Sequence, residues 1–292
     1  MWRISASIED EERTVSKVWF ITGASSGIGA AIAKAALKAG DRVAATARNL
    51  EKVSQTFRDV AGDGLALVQL DVTSEGQTKA AVAASVARFG RIDVAVNNAG
   101  YCLLGNFEEA TLPQIESQFA TNFYGVVHVM RAVLPVMRRQ RSGHIINIGA
   151  AAGVIGLKHC GAYSATKFAV EGLALSVGIE VEPFGVRITT VEPGAFRTDL
   201  LATQNVRYVK GSIEDYAQES SPEAMWSAFN GTQRGNPDKL GAAIVKVADM
   251  ENPPKAFVAG SDAIAMIMLG IEARLGDMQS QDELSRSTDG SF

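Results

Sequence analysis

Tyr163 and Lys167 stand four residues apart in the segment Tyr163-Ser-Ala-Thr-Lys167, a spacing that puts a phenol and an ammonium on one face of a helix. A positive charge beside a tyrosine favours the phenolate and lowers the pKa of the phenol, which otherwise lies at about 10. Such a pair is suited to exchange a proton with a carbonyl or an alcohol near neutral pH. Tyr and Lys also meet at this spacing by chance on exposed helices, so the chemistry depends on what accompanies them.

A glycine-rich turn accompanies them. Lys17-Val-Trp-Phe-Ile-Thr22 is a short apolar run of β-formers that leads into Gly23-Ala-Ser-Ser-Gly27-Ile-Gly29 and then into an alanine-rich helical stretch, Ala30 to Ala39. Strand, tight turn and helix in this order place free amides and a positive dipole end where a phosphate can bind. The spacing is GxxxGxG rather than the commoner GxGxxG fingerprint. A second strand, Asp41-Arg-Val-Ala-Ala-Thr-Ala47, ends in Ala47 and Arg48, where many NAD-binding folds present a carboxylate to the ribose. No acid stands there to repel a phosphate, and a guanidinium can take a 2′-phosphate bidentately. The corner therefore points to NADP(H) as cofactor, against the plainer reading of a solvated loop arginine.

The rest of the chain repeats the alternation. Ala66-Leu-Val-Gln-Leu70, Val94-Ala-Val96, His144-Ile-Ile-Asn-Ile148, Val186 to Val191 and Ala256-Phe-Val-Ala259 read as strands. Helices are expected near Thr73 to Phe89, Thr111 to Arg139, Tyr163 to Val181 and Asp238 to Ala248. This pattern predicts an α/β chain: a single-domain, doubly wound, Rossmann-type, mostly parallel sheet with helices on both faces and a ligand site at the carboxyl ends of the strands. We expect an N-terminal extension over 1–16, the domain over 17–276 and a polar, poorly ordered tail from Asp277.

Taken together, these residues resemble the short-chain dehydrogenase/reductase family from about Val15 to about Asp262. The ordered matches are TGASSGIG at 22–29, Leu70-Asp71-Val72, Asn97-Asn-Ala-Gly100, Asn122, Tyr163 with Lys167, and Pro193-Gly194 followed by Thr198. The resemblance implies that Gly23, Ser25, Ser26, Gly27, Ile28 and Gly29 wrap a pyrophosphate and that Arg48 meets the adenosine phosphate. Asp71 and Val72 would flank the adenine, and Asn98, Ala99 and Gly100 would line the adenosine ribose. Tyr163 would be the acid/base, Lys167 would hold the nicotinamide ribose and tune the tyrosine, and Asn122 would anchor a proton-relaying water. Pro193, Gly194 and Thr198 would contact the nicotinamide end.

One residue of the family's pattern is missing. A serine usually stands thirteen residues before the tyrosine and hydrogen-bonds the substrate's carbonyl oxygen; here that position is Ala150, within Gly149-Ala-Ala-Ala-Gly153. Losing one preorganised donor costs on the order of 2.7–4 kcal/mol when a reaction relies on it. Three explanations stand open: a substrate such as an imine or conjugated alkene that needs less help, another donor, or a disabled oxidoreductase. His159 and Cys160 are the nearest candidate donors in sequence, although a loop histidine and a packed cysteine are the plainer readings.

Composition narrows the setting. The chain has 292 residues, 47% of them hydrophobic, with 28 glycines and a formal net charge of −4. That balance argues against nucleic-acid binding or electrostatic membrane binding. Cys102 and Cys160 are the two cysteines, too few for a disulfide scaffold, and no Cys/His cluster has metal-site spacing. Ala256 to Ile271 falls short of the ~20 apolar residues of a membrane span, and no secretory signal precedes the first strand. We expect a cytoplasmic protein.

The segment from Ala195 to about Gly235 should close over the substrate. Its Leu200, Leu201, Tyr208, Tyr216, Met225, Trp226 and Phe229 either meet an apolar substrate or pack the lid onto the body. Cys102, Leu103, Leu104 and Phe107 are expected in the same pocket. The overall expectation is an NADP(H)-dependent oxidoreductase acting on a small apolar molecule, a ketone, alcohol or related C=N or C=C compound, or alternatively an impaired or non-redox protein that binds NADP(H). The family's helix pair, here Thr111 to Arg139 and Tyr163 to Val181, suggests a homodimer or homotetramer.

Overall fold

Val18-Trp-Phe-Ile21 is apolar without interruption because both of its faces are covered. Val18 and Phe20 pack into one layer of the core, Trp19 and Ile21 into the other, and all four are fully buried. The computed structural model describes residues 16–60, 62–201, 205–217 and 220–290. The proposed N-terminal extension lies outside the described residues except for Ser16.

The sheet is built from β1 (Val18–Ile21), β2 (Arg42–Ala47), β3 (Leu65–Gln69), β4 (Val94–Asn97), β6 (Gly143–Ile148), β7 (Val186–Pro193) and β9 (Ala256–Ala259). Their order is β3-β2-β1-β4-β6-β7-β9, and every pairing is parallel. Strand order reverses between β1 and β4, where Ile21 is flanked by Ala45 and Val96. A doubly wound sheet binds its ligand at such a reversal, outside the carboxyl ends of the strands.

Helices α1 (Gly27–Lys38), α2 (Leu50–Thr56) and α8 (Pro237–Asp249) bury apolar residues against one face. Helices α3 (Glu75–Phe89), α5 (Gly125–Gln140) and α6 (Gly161–Val181) cover the other. The expected single helix from Thr111 to Arg139 is instead three pieces. Helix α4 (Leu112–Phe119) opens with Pro113 in its first turn, a five-residue π-turn spans Ala120–Tyr124, and α5 follows. A π-turn inside a helix frequently marks a functional site, and this one carries Asn122.

A second, two-stranded sheet pairs β5 (Cys102–Leu104) with β8 (Val206–Tyr208). Three-residue strands leave no periodic signal, so only long-range pairing reveals them. Helix α7 (Pro222–Phe229) lies in the lid, and α9 (Ser261–Ser280) and α10 (Asp282–Arg286) follow β9. The tail expected to be poorly ordered from Asp277 is therefore helical as far as Arg286. Ala263 and Ile267 anchor α9 against Ala151 and Val154, and Arg286 pairs with Asp282 one turn earlier at 2.8 Å. Phe168, Leu175 and Ile179 on α6, and Ile264, Met268, Ile271, Leu275 and Met278 on α9, are exposed.

At the carboxyl end of β7, Glu192 is only 5% exposed. Burial, with the nearby Glu171 charge adding, pushes its carboxyl up to about 7 from 4.5. The folded state therefore keeps a proton that the unfolded chain releases. Stability from this group is complete below about pH 4.5 and is lost as pH rises through 7. Glu192→Gln should accordingly melt higher than wild type at pH 8 and together with it at pH 4. Each kcal/mol recovered is worth roughly 2–4 °C of Tm in a large domain. Equal melting at pH 8 would show that the carboxyl is relieved some other way.

Candidate active site

The turn from Gly23 to Gly29 is shaped by backbone that side chains would not allow. Gly23 and Gly27 have φ of +67° and +57°, the left-handed region that favours glycine. A Cβ on Gly23 would stand 2.9 Å from Ala99 Cα. A Cβ on Gly29 would collide with the Asn98 carboxamide and the Gly23 carbonyl, and Gly29 does not line the cleft. Asn98 Nδ2 donates to the carbonyls of Thr22 (2.9 Å) and Gly23 (3.1 Å), while Thr22 Oγ1 accepts from the amides of Asn98 (2.9 Å) and Ala99 (3.1 Å). The glycine turn and the Asn-Ala-Gly segment are thus locked to each other at the strand reversal. Ser26 precedes α1 and spends no side-chain hydrogen bond on capping it, which leaves its hydroxyl and the first amides of the helix for an anion.

A cleft of about 590 Å³ runs over the carboxyl ends of the strands. Every expected site residue except Gly29 lines it: Gly23, Ser25, Ser26, Gly27, Ile28, Arg48, Asp71, Val72, Asn98, Ala99, Gly100, Asn122, Tyr163, Lys167, Pro193, Gly194 and Thr198. Ala150 stands in the same wall. At one end Ala47, Arg48, Leu70, Asp71 and Val72 come together with Asn49 and Lys52, two residues that sequence reasoning passed over. Asn49 caps α2 by accepting from the Lys52 amide at 3.0 Å, which places Lys52, four residues after Arg48, as a second cation at this end. Asp71 is occupied locally, its Oδ1 accepting from the Thr73 amide (3.0 Å) and hydroxyl (2.8 Å).

The other end holds Tyr163 and Lys167. Lys167 is buried, and its Nζ donates to the Ile148 carbonyl at 2.7 Å while lying 5.6 Å from the centre of the Tyr163 ring. Burial brings the ammonium down to about 8. Tyr163 differs from the sequence expectation. Burial pushes its phenol well above 10, with the thiols of Cys102 and Cys160 adding to the rise. Desolvation dominates the shift, so the phenol stays protonated at neutral pH.

Asn122, 2% exposed, spends its side chain on Tyr101: Oδ1 accepts from the Tyr101 amide (3.1 Å) and Nδ2 donates to its carbonyl (3.0 Å). Gln118 Nε2 donates to the same carbonyl at 2.9 Å.

The remaining expectations sort themselves by packing. His159 Nδ1 lies 3.0 Å from Asn106 Oδ1, and neither His159 nor Cys160 lines the cleft. Cys102, Leu103 and Leu104 are buried strand residues and Phe107 is exposed; none of the four lines the cleft. Leu201, Tyr208 and Trp226 pack with Cys102, Cys160 and Tyr163, while Tyr216 donates to Glu108 at 2.9 Å. Lid aromatics therefore fasten the lid to the body, and from this group only Leu200 reaches the cleft. Tyr101, Ser117, Thr121, Phe196, Asn205 and Arg207 line it without having been anticipated. Tyr101 follows Gly100 directly, so its position was legible; Asn205 and Arg207 arrive only through the β5–β8 pairing.

Comparison with known proteins agrees with this geometry. The short chain dehydrogenase family model matches residues 17–208. Oxidoreductase BOA17 of Botryotinia fuckeliana is 38% identical over 86% of this chain and 91% of its own length. The 3-ketodihydrosphingosine reductase of Bacteroides thetaiotaomicron is 39% identical over 82% of this chain and 86% of its own. A short-chain dehydrogenase from Streptomyces avermitilis, solved as a crystal structure, superposes with a TM-score of 0.87 at 36% identity, covering 94% of this chain and all of that one. ElxO, solved with NADP bound, superposes at 0.72 with 28% identity, over 86% of this chain and all of its own. Parallel sheet, locked glycine turn and the Tyr163–Lys167 pair in one cleft thus coincide with a matched family model, and the chain belongs to the short-chain dehydrogenase family of oxidoreductases.

Proposed function

We propose that the protein is an NADP(H)-dependent reductase or dehydrogenase that transfers a hydride between nicotinamide and a ketone, an alcohol or a related C=N or C=C group on a largely apolar molecule. The observation that carries this reading is that Tyr163 and Lys167 share one continuous cleft with the glycine turn and with Arg48. NADP(H), when bound, supplies the hydride. The turn from Gly23 to Ile28 and the start of α1 would hold its pyrophosphate, Arg48 and Lys52 the adenosine phosphate, Asp71 and Val72 the adenine, and Pro193, Gly194 and Thr198 the nicotinamide end. The positive φ of Gly23 and Gly27, and the uncommitted Ser26 hydroxyl, fit an anion drawn close to the backbone.

In the reductive direction Tyr163 donates its phenolic proton to the oxygen that gains charge. Lys167, with its ammonium at about 8, stands over the ring and restores that proton. The Asn122 carboxamide is committed to Tyr101, so a relaying water would bind at main-chain carbonyls of the π-turn rather than at the Asn122 side chain. The substrate name of the Bacteroides relative, a keto compound, supports a ketone as the functional group. The direct test follows NADPH absorbance with a panel of apolar ketones, imines and enones. Oxidation with at least one of them is expected, and NADPH binding without oxidation across the panel would replace this reading with a non-redox or impaired one.

Cofactor choice gives a separate test. A charge-assisted hydrogen bond is worth about 1.5–3 kcal/mol, roughly ten- to hundredfold in affinity. Arg48→Ala should therefore weaken NADPH by about that factor and leave NADH unchanged in equilibrium titrations of nucleotide fluorescence. Equal losses for both nucleotides would assign Arg48 to something other than the 2′-phosphate.

A further inference from the structure

The wall of the cleft carries a cation that the proposed hydride transfer does not use. Arg207 on β8 lines the cleft with its guanidinium carbon 4.5 Å from the centre of the Tyr101 ring. A guanidinium at that distance over an aromatic face is held by a cation–π interaction. The platform beneath it is rigid, because the Tyr101 backbone is clamped by Asn122 and Gln118. Arg207 is paired with Leu103 through the strand backbone, but its exposed guanidinium has no ion pair or hydrogen bond among the described residues. Its β8 neighbour Val206 pairs with Cys102, which packs against Tyr163, and adjacent strands lie about 4.8 Å apart. Side chains alternate along a strand, so Arg207 points away from the face on which Val206 and Tyr208 pack with Tyr163 and enters the cleft on the Tyr101 side, apart from the reacting centre.

The surrounding wall supplies the hydroxyl residues Ser117 and Thr121 and the amide residue Asn205. Asp199, the lid acid that lines the cleft, also borders a shallower depression beside Ser26, Lys34 and Asp238, which places it toward the glycine turn. A preorientated, unpaired guanidinium on a tyrosine platform matches the planar, bidentate geometry of a carboxylate or a similar oxyanion.

We propose that Arg207, seated on Tyr101, is a specificity-determining residue that binds an anionic group on the substrate, a carboxylate, sulfonate or phosphate, at the opposite end of an apolar body from the carbon that exchanges hydride. The proposal rests on the assignment of this cleft as the substrate site, and its test requires no turnover. Calorimetric titration of the full-length protein with octanoate and with octanamide, in the presence of NADP⁺, compares a charged with an uncharged head on the same chain. Octanoate should bind wild type at least tenfold more tightly than octanamide, and Arg207→Ala should erase the difference. Arg207→Lys should retain part of it, and Arg207→Gln serves as a second neutral variant with a side chain of similar reach. NADPH affinity should stay within twofold in every variant. Equal binding of the two probes to wild type would overturn the proposal. So would a loss of NADPH affinity as large as the loss for octanoate, because Arg207 would then belong to the cofactor's phosphates. A reductase panel that fails while octanoate discrimination holds would overturn the hydride-transfer reading and leave the anion site standing.

Discussion

Replacing Tyr163 with Phe should reduce NADPH-linked turnover by about 10²–10⁴-fold, the range that a positioned proton donor contributes, while NADPH binding changes by less than about twofold. The substitution removes one hydroxyl and keeps the ring that lies 5.6 Å from Lys167 and packs with Cys102, Val206 and Trp226. Stability should therefore be nearly unchanged. The phenol is pushed well above its ordinary value by burial, so wild type holds the proton throughout the neutral range and, on the proposed mechanism, delivers it during reduction. Single-turnover absorbance decay at saturating NADPH and ketone measures the step. A Tyr163→Phe protein that reduces ketones at the wild-type rate would transfer the proton role to another group.

The second large effect is a gain. Ala150→Ser should raise ketone reduction at least tenfold, toward the roughly hundred- to thousandfold that a preorganised donor to a developing oxyanion can supply. Ala150 lines the cleft with Tyr163, and its backbone is extended, with φ −172° and ψ 160°, a conformation that serine adopts without strain. The measurement is kcat and KM for one ketone with both proteins. A gain confined to kcat would show a contact made in the transition state. An unchanged rate would mean that the oxygen already has its donor. Tyr101 Oη is a buried polar atom with no partner among the described residues on a residue that lines the cleft, and would be the next to replace. The same variant on an imine or enone separates a missing donor from a substrate that does not need one.

Most of the residues proposed to hold the cofactor line the cleft where local sequence placed them. The strand, glycine turn and helix from Lys17 to Ala39 impose their own geometry, because positive φ and close backbone approach select glycine at fixed offsets. Tyr163 and Lys167 are one helical turn apart, so their common face follows from the helix alone. The parallel sheet followed from apolar runs too uniform for a strand with one wet face. Gly29 is the instructive exception: the motif marks it, but the close approach of Asn98, seventy residues away, decides that it packs rather than lines the cleft.

What the sequence determined by itself is therefore everything governed by neighbours within a turn or a strand: the α/β architecture, the glycine turn after β1 and the spacing of Tyr163 and Lys167. Tertiary structure alone decided the charge state and the company those groups keep. The rise of the Tyr163 pKa follows from its desolvation on folding, a quantity that local spacing does not contain. Arg207 reaches the cleft only because three residues of β8 pair with three residues of β5 across a hundred positions of chain. Desolvation and long-range pairing depend on which surfaces finally meet, and that is settled only when the whole chain packs.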